Sequence, residues 1–479
     1  MIRSKKRHSH GEVPKPLAGR LWKGVALCLI AALSLPGCFR MKAESGDIAI
    51  QNVTVIDATG APAKSGTTVL IAGNRILKIR HTREVRLAKS VRIVDGGGKF
   101  LIPGLWDMHI HPFEGKDVRW KEFMALYIAN GVTGVRVMFG DPLFHRWRDA
   151  IMSGQLIGPR MLIASPRPPE FTRAQEGRDF VRQSRAEGAD FIKILSDDLP
   201  RDLYFAIAEE AHKQGIPFSG HVPYSISAGE ASDAGQLSLE HKYAISIPCS
   251  ELEEEVRARL ERIDSFRERV KVLADIEYDP QRAQTLFSRL VTNGTCVCPT
   301  LVVWNDPAYL DKAELANDPR LDLFPSELRN WFRSMGERLI DDVVVADLRK
   351  ICSGSHALVG AMSRAGVKIL AGTDSGSVPF LYQGFSLHDE LQLLAESGLS
   401  PMKALQAATL NAAGCAGRLD ELGTIEEGKI ADMVLLEADP LSSIANAMKI
   451  DSVFFDGKHF DRAKLAKIRN DLKRLAAEM

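Results

Sequence analysis

The chain has 479 residues, 45% of them apolar and 26% charged, an ordinary balance for a globular protein with a sizeable core. Its 62 Lys plus Arg almost cancel its 61 Asp plus Glu, so composition offers no basic footprint for nucleic acid. The expected partner is a small molecule or a peptide.

The N-terminus reads as a targeting segment. Lys5, Lys6, Arg7, Arg20 and Lys23 precede an apolar run from Val25 to Leu35, the charged and apolar regions of a secretory signal. The run is shorter than the about 20 residues a spanning helix needs. It leads into Leu35-Pro36-Gly37-Cys38, which resembles the processing box of bacterial lipoproteins, where the Cys becomes the lipidated first residue. Residues 1–38 are therefore expected to act as a signal peptide ending at Cys38. The expected location is exported, as a periplasmic or outer-membrane lipoprotein held to the membrane by a lipid anchor.

From 47 to 100, short segments alternate apolar and polar residues between Gly and Asn punctuation, the pattern of antiparallel strands. So short a stretch cannot close a core alone. Residues 420–460 have the same character, so both chain ends are expected to build one small flanking β-sandwich. A C-terminal helix should occupy 461–479.

Between them, 101–419 alternates short apolar runs with longer helical patterns. Candidate strands are Gly104 to His109, Thr133 to Met138, Arg160 to Ser165, Phe191 to Leu195, Pro217 to His221, Ser238 to His241, Thr295 to Leu301 and Val367 to Asp374. This predicts an α/β fold, a (β/α)8 TIM-type barrel. Residues 251–289 and 306–349 read as helical insertions around the seventh strand, above the mouth. Cys249, Cys296, Cys298, Cys352 and Cys415 are too scattered for a disulfide framework. Cys296 and Cys298 should share a strand face, as small packing side chains near the barrel interior or, less simply, as metal ligands.

The strand ends carry the chemistry. Pro103-Gly-Leu-Trp-Asp-Met-His-Ile-His-Pro112 ends in two imidazoles, His109 and His111, on one side of a strand. The fourth strand supplies Lys193 in Phe-Ile-Lys-Ile, the fifth His221 in Ser-Gly-His-Val-Pro, the sixth His241 in Leu-Glu-His-Lys and the eighth Asp374 in Ala-Gly-Thr-Asp-Ser-Gly. Singly, each imidazole reads as a hydrogen-bonded core histidine and Lys193 as a snorkelling strand-end lysine. Six such groups at one rim read as a site.

With those motifs in order, the chain is identified as resembling the amidohydrolase superfamily, in its imidazolonepropionase-related, prolidase-like branch that includes Xaa-Pro and Xaa-Arg dipeptidases. The resemblance spans roughly Asp47 to Asp456 and includes Gly384-Phe-Ser-Leu-His-Asp-Glu-Leu391 and the helix from Pro401 to Asn411. It implies two divalent metal ions, Zn2+ first, with Mn2+, Co2+ or Fe2+ also suited to imidazole and carboxylate ligands. By the same resemblance His109, His111 and Asp374 hold the more buried ion, His221 and His241 the second, and Lys193, carboxylated on its amine, bridges them. Glu240, Ser375 and Gly376 belong to the motifs without being ligands. An unmodified ammonium between two cations would be repelled by about 4 kcal/mol per charge pair at close range.

The implied reaction is hydrolysis of an amide or cyclic amide by a metal-activated hydroxide, with Asp374 as the catalytic proton carrier. Tyr224, Tyr243 and His388 are candidate substrate contacts. Ser196-Asp197-Asp198 departs from the small residues usual in dipeptidases of this branch. The alternatives are a mononuclear deaminase, a lactonase on the same barrel, and a non-catalytic surface binding protein. The deaminase pattern carries a Glu three residues after the fifth-strand His, where this chain has Tyr224. A homo-oligomer is compatible with all of these.

Overall fold

The computed structural model describes residues 43–113, 118–241, 243–309, 318–339 and 342–479; the predicted signal peptide with Cys38 lies outside them. Five strands open the described chain: β1 (Ile48–Val55), β2 (Lys64–Ala72), β3 (Arg75–His81), β4 (Arg92–Asp95) and β5 (Phe100–Pro103). Seven short ones follow: β6 (Leu105–Ile110), β7 (Val132–Val137), β8 (Arg160–Ile163), β9 (Ile192–Ile194), β10 (Phe218–Gly220), β11 (Ser238–Glu240) and β12 (Cys296–Cys298). The last three are β13 (Met433–Leu436), β14 (Ile450–Phe455) and β15 (Lys458–Phe460).

The first five and last three strands share one sheet, ordered β15-β14-β13-β5-β1-β2-β3, with β4 also on β1. The strands of both chain ends join in a single hydrogen-bonded sheet. The reason lies in β1, whose first half pairs with β4 and whose end pairs with β5. Between the two halves Asn52 takes a left-handed φ of 58°, which breaks the register so that one strand serves two partners. Residues distant in sequence meet because β5 pairs antiparallel with β13 over Phe100–Pro103. Ile50, Val53, Val69, Leu101, Met433 and Phe454 bury the common apolar face. At its edge Arg160, which opens β8, reaches Asp432 and Asp456 at 2.7 Å each, clamping the sheet to the central strands.

The central strands are parallel, in two ladders, β6-β7-β8 and β9-β10-β11-β12. All six residues of β6 and of β7 are buried, the signature of parallel strands covered on both faces. Isolated parallel bridges run from Ala164 to Phe191, from Val297 to Ile369 and from Ile110 to Ser375. The predicted eighth strand, Val367 to Asp374, contributes one of these bridges, through Ile369, and Ser375 just beyond it contributes another. Gly372 passes Cys298 so closely that a Cβ would lie 2.4 Å from the thiol sulfur, and the backbone leaves extended geometry at Asp374, with a φ of 58°. Cys296 and Cys298 are buried free thiols packed with Trp106, Met108 and Leu370, a packing role.

Both charged insertions are helical. The first contains helices over Glu253–Leu260, Phe266–Ala274 and Pro280–Asn293. The second includes helices Ser326–Leu339 and Asp342–Ala365. Phe324 and Phe332 pack against Phe113, Tyr382 and the C-terminal helix Arg462–Glu478, which holds this insertion over the ends of the parallel strands.

Candidate active site

Each sequence-predicted ligand sits at or just beyond a parallel strand. His109 belongs to β6 and His111 follows it, Lys193 lies in β9, His221 follows β10, and His241 follows β11. Asp374 leaves the bridged segment beside β6. All six line one cavity of about 580 Å³. Asp374 is its centre. Its Oδ1 lies 3.1 Å from His111 Nε2 and 3.5 Å from His109 Nε2, and its Oδ2 lies 4.0 Å from His241 Nε2. The His109 ring is 4.8 Å from that of His241, which is 5.0 Å from that of His221.

The backbone that aims these groups is unusual. His241 and Asp374 have left-handed φ values of 63° and 58°, a conformation costing a non-glycine residue of order 1–3 kcal/mol and kept where the surroundings over-determine it. The His241 amide donates to Cys298 O at 2.9 Å and the Asp374 amide to His109 O at 2.7 Å, so both kinks are held by neighbouring strands. Beyond them the chain turns back through Gly376 at φ 93°, where a Cβ would lie 1.7 Å from His111 O. Only glycine lets the loop pass so close to the imidazole that lines the mouth.

A second ring of groups fixes the imidazoles. Glu240 Oε2 lies 2.8 Å from His109 Nδ1, and an ionised carboxylate only accepts, so Nδ1 carries the proton and the Nε2 lone pair faces Asp374. Thr300 Oγ1 donates to Pro299 O and therefore accepts from His241 Nδ1 at 2.8 Å, with the same consequence for that ring. Glu240 is itself bound by Arg136 at 2.6 Å, whose other nitrogens donate to Met108 O and Ser238 Oγ. His221 Nδ1 lies 2.7 Å from Asp197 Oδ1 as an ion-pair contact without hydrogen-bond alignment, and Asp197 Oδ1 accepts from the Tyr243 hydroxyl at 3.0 Å.

Burial dominates the electrostatics. It pushes His109 well below the ordinary histidine range, helped by Lys193, and His241 down to about 4, so both rings are neutral donors at pH 7. For Asp374 burial acts upward, but His109, His111 and His241 outweigh it and hold the carboxyl far below its usual range. Lys193 is brought down to about 8 by burial, against the pull of Glu240 and Asp374. Its Nζ is buried without a hydrogen-bond partner, an orphaned polar group in a cavity otherwise rich in partners. Neutral imidazoles and an ionised carboxylate are the protonation states that bind a divalent ion. Among the described residues His109, His241 and Asp374 offer donor atoms within 4.8 Å of one another. The imidazoles and the carboxylate therefore fit a divalent metal, and the partnerless Lys193 amine stands beside them.

Three sequence candidates lie elsewhere. Tyr224 is buried in the cluster beneath the first insertion, beside Arg269, and is outside the cavity lining. Tyr243 stacks on His241 at 5.7 Å and bonds Asp197, so it supports the rings and does not line the cavity. His388 is buried in the helix Ser386–Glu396 with Nε2 2.9 Å from Asn130 O, also away from the lining. Sequence reading missed Arg136, Thr300 and the role of Asp197. Asp197 had left one trace, as a charged residue where related dipeptidases carry small ones; Arg136 and Thr300 had left none, because each acts across strands.

A family model, the amidohydrolase family, matches residues 100–459. The chain belongs to that family. Curated relatives of this amidohydrolase include the adenine deaminase of Mesorhizobium japonicum, 30% identical over 29% of this chain and 20% of its own length. The adenine deaminase of Desulforamulus reducens is 21% identical over 82% of this chain and 55% of its own. An imidazolonepropionase of Thermoplasma volcanium is 40% identical over 15% of this chain and 19% of its own. The first of these is matched over a fifth of its length. Among solved structures, a Xaa-Pro dipeptidase with bound methionine in the active site superposes with a TM-score of 0.64, at 20% identity over 86% of this chain and 99% of its own. Bottromycin amidohydrolase gives 0.69, at 21% identity over 89% and 90%. At such identities the likeness is one of fold.

Proposed function

We propose that this amidohydrolase is a metal-dependent hydrolase of an amide bond in a small molecule or dipeptide-like substrate. The observation that carries the reading is the convergence of six strand-end side chains on one cavity, with two imidazoles locked so that their Nε2 atoms face Asp374. In this reading the two parallel ladders and their bridges form a (β/α)8 barrel, with the sheet of both chain ends as a flanking domain. His109, His111, His221, His241 and Asp374, with Lys193 if its amine is carboxylated, are the residues that would hold divalent metal, zinc being the first choice. Metal held there would supply an acidified water, its pKa taken from about 15.7 toward about 7, and would polarise a carbonyl. Asp374 takes the proton of the attacking water and returns it to the leaving nitrogen. Glu240 and Thr300 keep the two rings from rotating as charge moves.

The likeness to adenine deaminases favours a second reading, in which the same cavity removes an amine from a heterocycle with one ion. Lys193 separates the two. Lys193→Ala is expected to bind less metal and lose turnover, with partial rescue by a short carboxylic acid that can occupy the vacated space. Elemental analysis and turnover on amide and aminopurine panels measure this. Full metal content and activity in the variant would remove the bridge and leave the one-ion deaminase.

We also propose export as a lipoprotein, from the charged and apolar segments that end at Cys38. No helix among the described residues is long and apolar enough to cross a membrane. Cys38→Ser is expected to release the protein from the membrane fraction or block its processing. An unchanged fractionation and N-terminal mass would reject the anchor.

A further inference from the structure

We propose that Arg167 is a specificity-determining residue that binds a carboxylate of the substrate, and that the substrate is an N-acyl amino acid with a bulky apolar acyl group. The inference rests on the hydrolase reading above and deepens it.

Arg167 lies in the loop that follows β8 and lines the cavity shared by the six candidate ligands. Its guanidinium sits 4.8 Å from the centre of the Phe139 ring. Phe139 stacks in turn on His111, with centroids 5.3 Å apart and planes 24° apart. Guanidinium, phenyl ring and imidazole are thus in successive contact along the cavity lining. A guanidinium over a ring has N–H groups that the ring does not occupy, and they match a carboxylate two bonds at a time.

Most arginines that serve the fold are already engaged. Arg136 holds Glu240, Arg160 holds Asp432 and Asp456, and Arg320 holds Asp318 and Asp389. Arg167 makes no hydrogen bond or ion pair among the described residues; its one recorded contact is the Phe139 ring. Among the described residues it is also the one cationic side chain of the lining outside the six candidate ligands. An anionic substrate group entering the cavity therefore meets a positioned partner that no protein carboxylate occupies.

The apolar part of the lining bears on the rest of the substrate. Phe113, Trp120, Leu328 and Trp331 supply a broad apolar surface, the last two on one face of the helix Ser326–Leu339. Desolvating that surface rewards a large acyl group and little else. Glu327, from the same helix, also lines the cavity and has no ion pair among the described residues. Its charge opposes a second negative group, so one carboxylate is favoured over two.

The test uses the metal-reconstituted full chain with matched compounds: N-phenylpropionyl amino acids, their C-terminal carboxamides, and N-acetyl counterparts. Wild-type protein is expected to turn over the phenylpropionyl acids best. Arg167→Ala should lower kcat/KM for the acids by about 10- to 100-fold, mainly through KM, and leave the carboxamides nearly unchanged. Arg167→Lys should recover part of the loss, and Arg167→Glu should reverse the order of acid and carboxamide. Equal losses on acid and carboxamide in Arg167→Ala would overturn the assignment. Binding of the same compounds, measured by calorimetry, separates this inference from the hydrolase reading. Binding that depends on the carboxylate and on Arg167 without any turnover would support the subsite and reject hydrolysis. Absence of both turnover and binding across the panel would overturn the substrate class.

Discussion

Asp374→Asn is expected to lower turnover on any amide substrate by about 10²- to 10⁴-fold while leaving metal content close to that of the wild type. The side chain keeps its length and one oxygen, so its place among His109, His111 and His241 is preserved. What it loses is basicity, because an amide oxygen does not take a proton at neutral pH. Its setting keeps the carboxyl ionised: burial acts the other way, but the three imidazoles it faces outweigh it, and Ser377 donates to Oδ1 at 2.6 Å. Steady-state rates and elemental analysis on the same preparation make the comparison. A fully active variant would move the proton-carrier role to another residue; a variant that had lost its metal would make Asp374 chiefly a ligand.

The largest expected effect on stability comes from Arg136→Met. Arg136 and Glu240 form a fully buried ion pair at 2.6 Å, and Glu240 also accepts from Ser238 and orients His109. Removing the guanidinium leaves a carboxylate inside the parallel strands with no cation in contact, which costs about 3–5 kcal/mol in comparable buried pairs. Replacing both partners, Arg136→Met with Glu240→Gln, should recover much of that loss, since the stranded charge is then gone. Chemical denaturation of the three proteins measures it. Metal affinity should stay low in the double variant, because Gln accepts from His109 Nδ1 less strongly than a carboxylate. A single variant less than about 1 kcal/mol below the wild type would mean that water reaches Glu240 and that the pair is not isolated.

The six strand-end residues were legible in the sequence because each stands in or at the end of a short apolar run, His109 and His111 two residues apart at the strand period, and His111, His221 and Asp374 beside the Pro, Gly or small residues that mark a strand end. The two charged insertions were legible for a related reason: a long charged stretch with helical apolar spacing cannot be a buried strand. The course of the predicted eighth strand was legible only in part: Val367 to Asp374 has the composition of a strand, but the close pass of Gly372 by His109 and Cys298 exists only once β6 and β12 are assembled. Tyr224 and His388 illustrate the converse. Both have the chemistry of a substrate contact, and their placement in packed layers away from the cavity depends on helices far away in sequence.

By itself the sequence determined the resemblance to the family, through its ordered motifs, and also the alternation of short strands with helices and the set of donors that could meet at one rim, because these last two depend on local period and on residue type. The tertiary structure alone decided which nitrogen of His109 and His241 faces the cavity, which groups hold those rings, and which cation at the mouth is left for a ligand. Those features are set by contacts between residues many tens of positions apart, such as His109 with Glu240, His241 with Thr300 and Arg167 with Phe139. A hydrogen bond needs atoms placed to within a few tenths of an ångström, and only the packed strands bring such distant residues to that precision.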